Sequence, residues 1–172
     1  MKKTTIEISV IMGVYNPKNK EQLMAAVASI VNQTFQNWEM LLYDDGSEPT
    51  YIPVIQEAAN MDSRITLIRN PKNHGLAYGL NQCIQRAKGR YIARMDDDDI
   101  SKPQRLEKMY EFLENHKEYQ WVGSNSELIN EHGVWGKDTV QEIPQKEDFL
   151  AYSPYIHPCL LYTSPSPRDV EE

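Results

Sequence analysis

Four short runs of apolar, largely β-branched or aromatic residues punctuate the first part of the chain, each emptying into polar residues: IEISVIMGVYN (6–16), WEMLLYDDGS (38–47), RITLIRN (64–70) and RYIARM (90–95). Runs that are apolar at successive rather than alternate positions are strands buried on both faces. Helix-periodic segments separate them. Residues 21–32 put Leu23, Val27, Ile30 and Val31 on one stripe. A second helix is expected over 51–60, and a third over 75–87 through Leu76, Leu80, Cys83, Ile84 and Ala87, with Gly89 as its C-cap. Ser101 and Pro103 are expected to open a further helix whose inner side carries Leu106, Met109, Phe112 and Leu113. Such alternation folds as an α/β, Rossmann-like domain, a mostly parallel central sheet with right-handed crossovers and helices on both faces.

Ligands of such sheets bind beyond the carboxyl ends of the strands. Three strand ends, VYN (14–16), DDGS (44–47) and DDDD (96–99), are therefore expected on one rim. After Trp121 the pattern loosens, and the turn at Glu131-His132-Gly133 suggests a hairpin added to the sheet. Residues 159–169, CLLYTSPSPRD, resemble the translation of a sequencing adapter. One domain is accordingly expected over 6–158, incomplete at its C-terminal end, followed by an unstructured, non-native tail over 159–172.

The net charge of −7 on 172 residues argues against a binder of nucleic-acid phosphates, which usually presents a basic face. It leaves room for a nucleotide held through a metal ion. Two cysteines, Cys83 and Cys159, are too few for a disulfide framework or a zinc site. No apolar stretch approaches a membrane span, and a cytoplasmic protein is the expectation.

Asp96 to Asp99 carry the chemistry. A charge run is ordinarily a solvated loop, but this one follows an apolar strand directly. Four close carboxylates there raise one another's pKa unless a cation compensates. Alternate residues of an extended segment, Asp96 and Asp98, share a side. Oxygen-only ligands suit Mn²⁺ or Mg²⁺, which take their remaining ligands from phosphates and water. Asp44 and Asp45, before Gly46-Ser47, form either a turn or a hydrogen-bonding site for a ligand's N–H or hydroxyl groups. Tyr15 is a core residue or a platform for a base; taken alone, it reads as core. Arg94 pairs with a neighbouring aspartate or contacts a phosphate. The loop before residue 76 lacks the dinucleotide fingerprint, and the scattered histidines have no metal-ligand spacing.

In order, SVIMGVYN, SIVNQTFQNWEMLLYDDGS and NHGLAYGLNQCIQRAKGRYIARMDDDDISKPQRLEKM resemble family 2 glycosyltransferases of the GT-A fold, over residues 8–122. The resemblance implies an inverting, metal-dependent transferase that takes a sugar from a nucleotide-diphospho-sugar, UDP-sugar first, to a saccharide or lipid-linked acceptor. It implies Tyr15 and Asp45 around the base and ribose; Asp44 and Arg94, from their places beside these residues, are expected on the donor side as well. Asp96, Asp98 and Asp99 match the family's D-x-D-D pattern, with Asp96 near ribose or sugar and Asp98 holding Mn²⁺ or Mg²⁺. Peripheral contact with the inner membrane face is a further implication. The family's catalytic base lies in a later acidic motif. Asp138, Glu142, Glu147 and Asp148 do not match its context, so no base is assigned and it is expected outside this chain. A catalytically incomplete donor-binding fragment is one alternative. A sugar-phosphate nucleotidyltransferase is another, but GVYNPKNKEQ (13–22) does not resemble its Gly- and Arg/Lys-rich loop.

Overall fold

The computed structural model describes residues 5–151 and 153–164. In chain order the elements are β1 (Ile8–Val14), α1 (Lys20–Val31), β2 (Trp38–Asp45), α2 (Ile52–Ala59), β3 (Ile65–Asn70), α3 (Leu76–Ile84) and β4 (Tyr91–Met95). Then follow α4 (Arg105–Asn115), β5 (Trp121–Val122), β6 (Ser126–Asn130), β7 (Gly133–Asp138), α5 (Asp148–Ala151) and β8 (Leu161–Thr163). The sheet runs β3-β2-β1-β4-β8-β5. Its first four strands are parallel, and β8 lies antiparallel between β4 and β5. The expected α/β architecture with a mostly parallel sheet is what forms.

Strand periodicity divides the apolar side chains between two cores. Ile8, Val10 and Met12 face a large cluster completed by Leu23, Val27 and Ile30 of α1, Ile55 of α2, and Leu106, Met109 and Leu113 of α4. Ile11, Leu41, Tyr43 and Ile92 face the other way and meet Cys83 of α3 in a smaller cluster. Cys83 is fully buried, donates weakly to the Leu41 carbonyl at 3.7 Å, and has its thiol pushed up to about 12 by burial. Thiolate is the reactive form. Cys83 is therefore expected to stay unlabelled by iodoacetamide at pH 8 in native protein and to label on denaturation, as peptide mass spectrometry would read. Labelling in the native state would show that α3 opens readily.

The amino end of the sheet is closed by a polar network. Ser9 donates to Glu39 at 2.8 Å, the Lys88 N–H to the same Glu39 oxygen at 2.7 Å, and the Gly89 N–H to Ser9 Oγ at 2.8 Å. Gly89 is thus not the helix cap expected from the sequence. α3 ends earlier, at Ile84, and Gly89 lacks the left-handed backbone of such a cap. What it needs is space, because a Cβ there would stand 2.4 Å from the Ser9 nitrogen.

Three further expectations change. α4 starts at Arg105, because Ser101 is drawn to α1: its N–H donates to Ser29 Oγ at 2.9 Å, and its own Oγ accepts from Gln33 at 3.2 Å. The hairpin β6–β7 forms, but as a separate two-stranded sheet. The tail expected to be unstructured from residue 159 is corrected over 159–164. Leu161–Thr163 pairs with β4 and β5, and Leu161 is fully buried. Leu-Tyr-Thr carries the strand propensity to fill that gap whatever its origin. Residues 165–172 lie outside the described residues.

Candidate active site at the carboxyl rim

Parallel β1, β2 and β4 bring Tyr15, Asp45 and Asp96 to one rim, as expected. The first two strand ends are laced together. The Asn16 N–H donates to Ser47 Oγ at 2.9 Å, and Asn16 Oδ1 accepts from the Glu48 N–H at 2.8 Å. Asn16 adopts φ 47°, a left-handed conformation asparagine tolerates better than most residues. This turn leaves Tyr15 51 % exposed, so it is a rim side chain and not part of the core.

The two aspartates of β2 have distinct tasks. Asp44 is fully buried, accepting the Ser47 N–H at 2.9 Å and pairing with Arg69 at 3.1 Å. The donor-side candidate of the sequence has its oxygens taken up by the turn and by Arg69. Asp45 is 5 % exposed and accepts the backbone N–H groups of His74 at 3.0 Å and Gly75 at 2.7 Å. It holds the loop that leads into α3. Arg69 was missed in the sequence, although the rim argument that selected the other strand ends applies equally to the end of β3.

At the end of β4, Arg94 donates to Asp96 Oδ1 at 2.9 Å, and its Nε is buried without a partner. Asp96 and Asp97 are half-buried, while Asp98 and Asp99 are exposed. Burial pushes the Asp96 carboxyl up, opposed by the Arg94 charge. Asp97 is pushed up to about 6 by burial and then by Asp98. Asp99 is raised by burial and by Asp96 and Asp98. The expected mutual repulsion is present, though burial is the larger cause. Among the described residues no three His, Cys, Asp or Glu side chains are arranged to hold a metal ion.

Beside Arg94 opens a cavity of about 680 Å³, lined among others by Leu80, Arg94, Trp121, Tyr155 and His157. His157 also acts electrostatically on Asp96, a proximity that sequence separation hid. Of the carboxylates considered as bases, Asp138, Glu142 and Glu147 are exposed, and Asp148 accepts the Gln145 N–H at 2.8 Å within its own turn.

The sheet order, the antiparallel β8 and the acidic loop after β4 define an α/β domain with a polar carboxyl rim, and the comparisons with known proteins place it in a family. The model of Glycosyl transferase family 2 matches residues 9–161, and the chain belongs to that family of enzymes. EpsE of Bacillus subtilis (strain 168) is 37 % identical over 166 residues, covering 96 % of this chain and 59 % of EpsE. The chain thus spans well under two thirds of that relative. Among solved structures, S. aureus TarS 1-349 in complex with UDP-GlcNAc superposes with a TM-score of 0.69 at 17 % identity, covering 91 % of this chain and 45 % of TarS. The mannosyltransferase PcManGT from Pyrobaculum calidifontis, in complex with GDP-Man and Mn²⁺, gives 0.61 at 18 % identity, covering 72 % of this chain and 36 % of that one. These likenesses establish the GT-A fold. Family membership also sets aside the nucleotidyltransferase alternative. No helix among the described residues is long and apolar enough to cross a membrane.

Proposed function

We propose that this chain binds a nucleoside-diphospho-sugar together with Mn²⁺ or Mg²⁺, and that it serves inverting glycosyl transfer to a saccharide or lipid-linked hydroxyl. The observation that carries the reading is the meeting of Tyr15, the Asp45-held loop and Asp96–Asp99 at the ends of β1, β2 and β4. Tyr15 offers its exposed ring to the base, and Asp45 shapes the pocket by holding the 74–75 backbone. Arg94 orients one Asp96 oxygen and leaves the other for ribose or sugar. Asp98 and Asp99, the exposed members of the cluster, present oxygens to the cation. The donor chemistry fits: the set is all oxygen, and Asp98 and Asp99 stand exposed beside the half-buried Asp96 and Asp97, so it gains from a divalent charge, and an ion bridging a diphosphate needs only one or two protein carboxylates. When bound, such an ion stabilises the negative charge of the departing diphosphate as a Lewis acid. UDP is the first donor to test because TarS, a neighbour in fold, holds UDP-GlcNAc.

Titration calorimetry of folded protein with UDP is expected to show binding that needs Mn²⁺ and disappears in EDTA-treated buffer to a weak residual. Absence of heat at millimolar UDP with Mn²⁺ would sink the reading. A second reading, a donor-binding unit that does not itself catalyse, is favoured by the exposed or self-engaged state of Asp138, Glu142, Glu147 and Asp148. Inversion needs a base on the acceptor hydroxyl. UDP release from UDP-sugars separates the two: binding without turnover supports the second.

A further inference from the structure

We propose that Arg105, the first residue of α4, is a positioning residue for the acidic loop, acting through the backbone at the point where β4 and β8 diverge. The inference rests on the donor-binding reading above. Arg105 is not a surface helix residue. Its guanidinium is buried, and its NH2 group donates to the Arg94 carbonyl at 2.9 Å, to the Pro158 carbonyl at 2.8 Å and weakly to the Leu160 carbonyl at 3.4 Å. The other terminal nitrogen approaches the Met95 sulfur at 3.6 Å, and Nε has no partner. Among the described residues no carboxylate lies within ion-pair distance of it, and the nearest electrostatic influence of that kind comes from Asp99 in the acidic loop.

Burying a guanidinium with no carboxylate in contact is costly, and arginine does not relieve that cost by losing its proton. A structural staple alone could be apolar at lower cost. What the charge adds is its place. The carbonyl it grips belongs to Arg94, whose own side chain holds Asp96, and the next residues are the four aspartates. Arg94 is also gripped from its other side, its N–H donating to the Leu160 carbonyl at 3.1 Å. Arg105 therefore locks the last ladder step before the acidic loop against the 157–160 turn, and places a permanent positive charge beneath carboxylates that repel one another. The bonding nitrogen lies one bond further from Cα than a lysine Nζ would, so a lysine reaches these carbonyls only if the helix or the turn shifts.

The expected consequence is specific to the cation. Arg105→Met should weaken Mn²⁺-dependent UDP binding at least about tenfold and Arg105→Lys at least about threefold. Residual binding in EDTA, which uses the Tyr15 and Asp45 side of the rim, should stay within twofold for both. Calorimetry reads the UDP terms, and Mn²⁺ electron paramagnetic resonance reads the ion directly. Leu113→Ala, in the core under the same helix, controls for lost stability and should leave both terms unchanged. If Arg105→Met does not fold, Arg105→Lys decides alone. A folded Arg105 variant that keeps Mn²⁺-dependent affinity within twofold of the parent overturns the proposal, as does an equal loss with and without metal. A parent protein that fails to bind UDP with Mn²⁺ overturns the donor reading instead, and Arg105 falls with it.

Discussion

Replacing Gly46 with alanine is expected to lower stability by about 3 kcal/mol, seen as a drop of roughly 1.5 M in urea midpoint for a slope near 2 kcal/mol/M. Two independent causes add. Gly46 has φ +76°, a conformation that costs an L residue about 1 kcal/mol or more. A Cβ would also stand 2.5 Å from both the Asn73 nitrogen and the Lys72 carbonyl carbon. These are backbone atoms and cannot turn aside as a side-chain tip would. The loop they belong to is the one Asp45 holds through the His74 and Gly75 N–H groups. The substitution should therefore injure the site as well as the fold, with UDP affinity falling even in protein that remains folded. A midpoint shift below about 0.3 M would mean that the 72–75 loop moves freely, and that Asp45 does not hold it.

Gly46-Ser47 after two aspartates was legible as a turn at a strand end because turn chemistry is local. That Asp44 would turn inward to Arg69 was not, because a partner on the neighbouring strand is set by register. The same division runs through the molecule. The parallel strands and their helices were legible in hydrophobic period, and the rim followed from their connection rule. β8 was missed because three residues of strand carry no period, and their partner is far away in sequence. Gly89 was read as a cap from its place after a helix, whereas its reason is the backbone of β1. Among the candidate residues, the acidic loop is marked by composition and Tyr15 only by its place at a strand end. Arg105 and His157 are not marked, since what brings them to the rim is contacts between α4, β4 and the 157–160 turn.

Asp98→Ala tests the acidic loop most directly, and here binding and stability should part. UDP affinity measured with Mn²⁺ is expected to fall to the level found in EDTA, a loss of about 100-fold or more, equivalent to about 2.7 kcal/mol. Stability without metal should hold or rise. Asp98 is exposed, accepts no hydrogen bond from another side chain or loop among the described residues, and adds to the charge that raises Asp96, Asp97 and Asp99. Removing it takes one like charge from the cluster, so thermal unfolding in EDTA should occur at the parent temperature or slightly above. Asp97→Asn is the informative comparison, since the segment turns at 97–98 after β4 ends at Met95 and Asp97 is the more buried of the two turn residues. It should retain most of the metal-dependent affinity. If Asp97→Asn abolishes Mn²⁺-dependent binding while Asp98→Ala does not, the loop presents its other side to the cation and the assignment of Asp98 is wrong. If Asp98→Ala unfolds the protein in EDTA, the carboxylate has a structural duty that its exposure conceals.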